Sequence, residues 1–473
     1  MTCTRPLWLP EGGAARARAP LAIAAASALS LGVMAAPACT RVVDAVEPQD
    51  GGGAGPGFGG TTGAAGSGGV GANCALRPTD PACGPTPWPT ATNSANSDPW
   101  IVAHHDTITV MQPRVLVLNF FNGVSVDAVR QTAMRQIAAV SEGSRYHGYS
   151  DPSATPFVVY QIAKVVDLTD HPPPAGWSNP SSTQLPVNPS GVFDPLALFS
   201  SRFSAAYGFV DPTTPTRSLS LCELFERGVI NEVWIEDGEA GTRHAPFNVE
   251  RKQVYDAQGV AVPGSFSPCV GGGGCLQDII CGVTVRLAHL DPARGPGCDL
   301  EVRGWGIEGM WDALPAYATE ATAFLNRDFR SRFNVRFDGW ENLCDQTGAP
   351  CITYPTPTTA MGTYANGTPW TIDPFIQGCG STTFPPNARA RFDYTGSTPV
   401  QSRCEHFGLR DGVAGADALV LYTSDKIAAI DQAFPDCGGG WQIYWRQSLP
   451  GRDNRGKTTD GRPLRNWWPL LFY

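Results

Sequence analysis

The stretch that most constrains this chain begins at Arg114. "RVLVLNF" (114–120) is a continuous apolar run that stops at "FNG". The next residues place Val126, Val129, Ala133, Ile137 and Val140 at helical spacing, with Ser125 positioned to cap the start and Gly143 to end it. "PFVVYQIAKVVDLTD" (156–170) then reads as a second strand. Strand, helix and strand joined by short links return the chain to the same sheet running the same way, with the helix across one face. The order recurs in "SLSLCELFERGVINEVWIEDG" (218–238), where a helix stops near Gly228 and a strand crosses Val233–Ile235. "CGVTVRLAHLD" (281–291) adds a strand, and "MWDALPAYATEATAFLNRDFRSRF" (310–333) is the longest helical pattern. "GADALVLYTSD" (415–425) reads as a strand or connector and "SDKIAAIDQAF" (424–434) as a short helix. No repeat of solenoid or propeller period is visible. The expected fold is α/β, with a mostly parallel sheet, helices and long, loop-rich, disulfide-bearing insertions.

The ends set the compartment. Arg5, Arg16 and Arg18 precede an Ala-rich apolar stretch, 20–38, that meets Cys39, so residues 1–38 read as an export signal. "APAC" resembles a bacterial lipoprotein box, with Ala36 where Leu is usual, and implies lipidation at Cys39. The glycine-rich run 51–72 can bury nothing and suits a tether. Residues 39–100 are therefore assigned to a tether and stalk, 73–100 being a stalk or a strapped arm, and 101–473 to a single large α/β domain. Such a protein would sit on the cell surface or in the periplasm, membrane-held by its lipid, or else be secreted. Of 14 cysteines, twelve remain once Cys3 and Cys39 are set aside, an even set that favours disulfides in an exported chain. Cys74–Cys83 and Cys344–Cys351 are plausible local closures, and the connectivity is otherwise open. No Cys-x-x-Cys pair speaks for a cysteine metal site. A net charge of −9 argues against a nucleic-acid partner.

In open α/β sheets ligands gather at the carboxyl ends of the strands. There the chain carries Asn119 and Asn122, then Asp167, Asp170 and His171, then Glu236, Asp237 and Glu239, then His289 and Asp291. Such a rim could activate water by acid–base chemistry or hold a divalent cation, though Asp and Asn also end strands simply as turn-formers. Glu236 and Asp237 rank first. Strand alternation puts Asp237 on the face of Val233 and Ile235, and Glu236 on that of Trp234. His289 and Glu320 are the candidate partners. No organic cofactor is predicted: the chain lacks a Gly-x-Ser-x-Gly elbow, a His-Glu-x-x-His pair, a phosphate loop and a dinucleotide fingerprint. Near the C-terminus Trp445, Trp467 and Trp468 accompany Asp453, a combination that could hold a glycan or serve as packing.

Three motifs together resemble a family of secreted bacterial and fungal proteins: "INEVWIEDG" (230–238), "CGSTTFPPNARARFDYTGSTPVQSRCEHF" (379–407) and "SLPGRDNRGKTTDGRPLRNWW" (448–468). The resemblance spans 114–468. It implies shared fold and export and a local Cys379–Cys404 disulfide. Relatives resemble one another in a Gly-His-x-x-Glu helix, which here matches "PAYATEATAF" (315–324) with Glu320 kept and no histidine. The leading expectation is a surface-exposed hydrolase of an extracellular polymer working by carboxylate acid–base chemistry. The alternative is a non-catalytic lipoprotein that binds glycan or a surface protein.

Overall fold

A computed structural model describes residues 88–121, 123–169, 185–188, 193–238, 248–270, 276–333, 350–363, 367–409 and 417–473. Its main sheet contains β1 (Arg114–Asn119), β2 (Gln161–Asp167), β3 (Glu232–Glu236), β4 (Asn248–Tyr255), β5 (Ala261–Val270) and β6 (Val285–His289). Across the sheet the order is β2-β1-β3-β6-β4-β5. β2, β1, β3 and β6 run parallel, whereas β4 and β5 pair antiparallel. The fold is mixed α/β, and the expectation of a mostly parallel sheet narrows to the four-strand block. β4 lies antiparallel to β6, and a tight turn joins it to β5: the Asp256 carboxylate accepts from the Gln258 and Val260 amides, Gly259 takes a positive φ, and the chain returns beside itself. Among the described residues, three small antiparallel sheets lie outside this one.

β1 is buried at all six positions, the mark of a strand covered on both faces. Val115 and Val117 enter one core with Trp234 and Ala288, while Leu116 and Leu118 enter the other with Val233, Ile235 and Leu287. The first face is covered by α1 (Val126–Gly143), which buries Val129, Ala133 and Val140, and Ser125 Oγ accepts from the Ala128 amide at its start. The second receives α2 (Leu221–Glu226), opened by a reciprocal cap between Ser220 and Glu223 and burying Leu221, Leu224 and Phe225.

Of the stalk and the strapped arm, residues 88–98 form the arm. Trp88 packs edge-on against Phe472 at 5.1 Å, and Asn93 and Asn96 donate to the Gly228 and Asn231 carbonyls at 2.8 and 2.9 Å. Gly228 is held at φ 60°, where a Cβ would lie 2.4 Å from the Asn93 carbonyl oxygen, so the α2 terminus needs glycine twice over.

Two helices carry no legible pattern in the sequence. α3 (Pro296–Gly309) buries ten of its fourteen residues, and α5 (Gly439–Gln447) buries all nine. A helix enclosed on every side has no apolar stripe to betray it. Only Pro296 at the first helical turn signals α3. The expected helix from Met310 is broken by two short 3₁₀ turns around Pro315, and α4 proper is Ala318–Phe333.

Disulfides join Cys222 to Cys281, Cys298 to Cys437, and Cys379 to Cys404, the last being the pair the family resemblance implied. The expected Cys74–Cys83 closure, Cys344, and the signal and tether through residue 87 lie outside the described residues.

Candidate active site

Register builds the centre of the site. Ile235 pairs with His289 across β3 and β6. Asp237 follows Ile235 by two residues, so both polar side chains leave the sheet on one face. They meet there: His289 Nε2 lies 2.9 Å from Asp237 Oδ1. Glu236 follows Trp234 on the opposite parity, and its Oε1 accepts from the Gly238 amide at 2.8 Å. Beyond β6, the Asp291 amide donates to Asp299 Oδ1 at 3.3 Å, which brings the first turn of α3 to the strand ends. None of Glu236, Asp237, His289, Asp291 and Asp299 is more than 4% exposed.

Burial at this density of charge separates the protonation states. Loss of solvent pushes the Glu236 carboxyl up to about 8, with Asp237 and Asp291 adding to the rise and His289 opposing it. Burial also raises Asp299 to about 7 against the pull of Arg303 and His289. For His289 burial acts downward, but the Asp237 hydrogen bond and the charges of Asp237, Asp299 and Asp291 prevail and lift it to about 9. At neutral pH the group thus holds an imidazolium paired with Asp237 and a protonated Glu236 beside them. Among the described residues, Glu236 Oε2, Asp291 Oδ2 and Asp299 Oδ2 are buried without a hydrogen-bond partner, acceptors whose isolation is costly unless they are protonated or engaged by a ligand.

The other expected residues go elsewhere. Asn119 accepts from the Phe121 amide and Asp167 from Thr169, the turn-forming role. Glu320 is buried in the first turn of α4, and no contact among the described residues joins it to Asp237 or His289. Asn122, Asp170, His171 and Glu239 lie outside the described residues. Trp445, Trp467 and Trp468 are core residues: Trp467 stacks edge-on with Trp311 and Phe324 at 4.8 and 5.4 Å, and Trp445 is fully buried. Their ring faces are therefore occupied by protein, which is the packing alternative, while Asp453 is on the exposed side of that segment.

Asp299 and Arg303 were missed from the sequence because α3 itself was. Arg303 lies over the Trp234 ring at 4.3 Å and donates through Nη1 to the Asp299 carbonyl at 3.1 Å, bracing the acid from within the core. Cys298, Asp436 and Cys437 present atoms within 4.8 Å of one another, a grouping that could in principle hold a metal ion. The Cys298–Cys437 disulfide engages both sulfurs, leaving no thiolate to coordinate one.

No protein-family model, curated protein or solved structure matches this chain. Among the described residues no helix is long and apolar enough to cross a membrane.

Proposed function

We propose that this is an exported hydrolase of an extracellular polymer, glycan or peptidoglycan, with its acid–base centre at Glu236, Asp237 and His289. The observation that carries the reading is the 2.9 Å Asp237–His289 contact at adjoining parallel strand ends, beside a carboxyl whose affinity for protons is raised to about 8. A carboxyl group whose affinity for protons is raised can serve as the acid beside a second one that acts as the base. In the proposed step Asp237 takes a proton from water as the water oxygen bonds to the substrate. The scissile bond breaks, and Glu236 gives its proton to the leaving group. His289 holds the Asp237 side chain in place through the 2.9 Å contact.

The substrate test is incubation of the purified protein with polysaccharide and cell-wall preparations, followed by analysis of soluble products. Released fragments support the reading, and retention on the polymer without any product favours a binding protein instead. We also propose that Cys39 carries a lipid. Cys39→Ala is then expected to move the protein from the membrane fraction to the soluble one. Unchanged membrane association would refute the anchor and leave the hydrolytic reading untouched.

A further inference from the structure

The motif at 448–468 folds into a hairpin that the hydrolytic centre does not use. Its arms are tied together: the Trp467 amide donates to the Pro450 carbonyl and the Leu464 amide to the Gly456 carbonyl, each at 2.8 Å, and Lys457 bridges to Pro463. Arg452 and Asn454 on one arm therefore stand across from Arg465 and Asn466 on the other. With the segment His105–Ile108 these residues line an open pocket of about 400 Å³. It lies at the amino ends of the parallel strands, away from Asp237 and His289. Ile108 precedes β1, and His105 meets Tyr473, which packs at 5.2 Å on Tyr255 at the end of antiparallel β4.

Most polar groups of the wall are committed. Arg465 donates through Nε to Asp106 Oδ1 at 3.0 Å and through Nη1 to the Tyr317 hydroxyl at 3.1 Å. His105 is engaged at both ring nitrogens, by the Tyr473 hydroxyl and the Asn466 carbonyl, and burial lowers it to about 4, so it is neutral. Asn454 accepts from the Gly456 amide and donates to the Gly451 carbonyl. Two donors remain. Arg452 reaches the Thr109 carbonyl through Nη1 at 3.4 Å and makes no ion pair among the described residues. Asn466 Oδ1 accepts from the Trp468 amide at 3.1 Å, which fixes the orientation of its amide. Its Nδ2 is buried and, among the described residues, has no acceptor. Since Asp106 is paired with Arg465, Arg452 carries the unbalanced charge of the lining. Outside the lining Asp453 and Arg455 offset one another, and Asp460 pairs with Arg462. Ile108, Pro463 and Leu464 supply apolar wall.

We propose that this pocket binds a uronic acid residue of an acidic extracellular polysaccharide, its carboxylate held by the Arg452 guanidinium and the Asn466 side-chain N–H. One unpaired guanidinium and one amide match the two oxygens of a carboxylate, and the charge on Arg452 favours that group over a hydroxyl or a water. A phosphate would call on Arg465 as well, which is already spent on Asp106 and Tyr317. The second Asp106 oxygen is open to accept from a ring hydroxyl, and Ile108 and Leu464 suit the C–H face of the ring. The volume takes a sugar ring with its substituents. This deepens the hydrolytic reading by naming the polymer as acidic, and it rests on that reading only for the polymer's cleavage.

The test is calorimetric titration of the wild type and of Asp237→Asn, which should leave the probe intact. The probes are oligomers of galacturonic, glucuronic and mannuronic acid, their methyl esters, and poly(glycerol phosphate). The expected result is binding of at least one uronate oligomer that is lost on methyl esterification and weakens as salt rises. Arg452→Gln is expected to weaken it by about 10–100-fold. Arg462→Gln removes the same charge from an exposed position outside the pocket and should leave binding unchanged. No binding of any uronate, equal binding of a methyl ester, or a preference for poly(glycerol phosphate) overturns the proposal. So does an Arg452→Gln protein that binds as the wild type does. Fragments released from neutral polymers without uronate binding would overturn this proposal and leave the hydrolytic reading standing. Uronate binding without fragments from any polymer would do the reverse.

Discussion

Glu232→Leu is expected to lower the free energy of unfolding by about 3–5 kcal/mol, the cost of removing one partner from a buried ionic network. Glu232 is fully enclosed, with its side chain 1% exposed, and four groups depend on it. Tyr160 and Trp234 lose their acceptor, and Arg286 and Arg303, at 3.7 and 3.8 Å, lose their nearest shared counter-charge. Leucine fills a similar volume, so a large loss would report the stranded donors and cations and not a cavity. Denaturant unfolding of the wild type and the variant measures it. Asp460→Asn is the control, because the Asp460–Arg462 pair lies in solvent at 56% and 73% side-chain exposure and should leave the midpoint unchanged. A Glu232→Leu midpoint equal to that of the wild type would contradict the network.

Asp237→Asn is expected to reduce polymer turnover by about 10²–10⁴-fold, the range over which a positioned acid–base group contributes. The substitution keeps the shape of the side chain and its reach to His289 while removing the base. The same change should be visible in the absence of substrate. Without the Asp237 charge the His289 imidazole loses its strongest support and falls from about 9 toward its ordinary value. Its proton affinity is raised on folding, so the stability it contributes is complete below about 6.5 and is lost as pH rises through about 9. Glu236 has the same sign, its contribution draining away as pH climbs toward and past about 8. The wild-type melting midpoint should therefore fall by several degrees between pH 6.5 and 9. Asp237→Asn should flatten that fall, and a fall equal in both proteins would remove His289 from the account.

Much of this arrangement could be read before the fold was known, for a definite reason. β1 and β3 are covered on both faces, and such strands keep their whole apolar run in view. Their alternation carries on into the polar residues that follow, so Asp237 could be placed on a face from spacing, while His289 was one of two candidate partners until the strand order put it beside Asp237. α3 and α5 left no such trace, because residues buried all round share no stripe. With α3 went Asp299, which joins the acid group, and Arg303, which lies over the Trp234 ring. Glu320 was drawn in by likeness to a helical motif, but position in a motif says nothing of which sheet edge the helix reaches. The tryptophans near the C-terminus read equally well as a sugar platform or as core. Composition cannot separate the two, because large rings serve both, and only the packing of Trp467 on Trp311 and Phe324 decides it.

The central claim is that Glu236 and Asp237 perform hydrolysis, and the pH dependence of product release from the polymer tests it most directly. For the wild type the account predicts release that declines above pH about 8 as Glu236 gives up its proton. Glu236→Gln, folded as judged by its melting curve, should lose most of that release and show no such limb. Release at the wild-type rate and with the wild-type pH dependence from folded Glu236→Gln and Asp237→Asn proteins would contradict it.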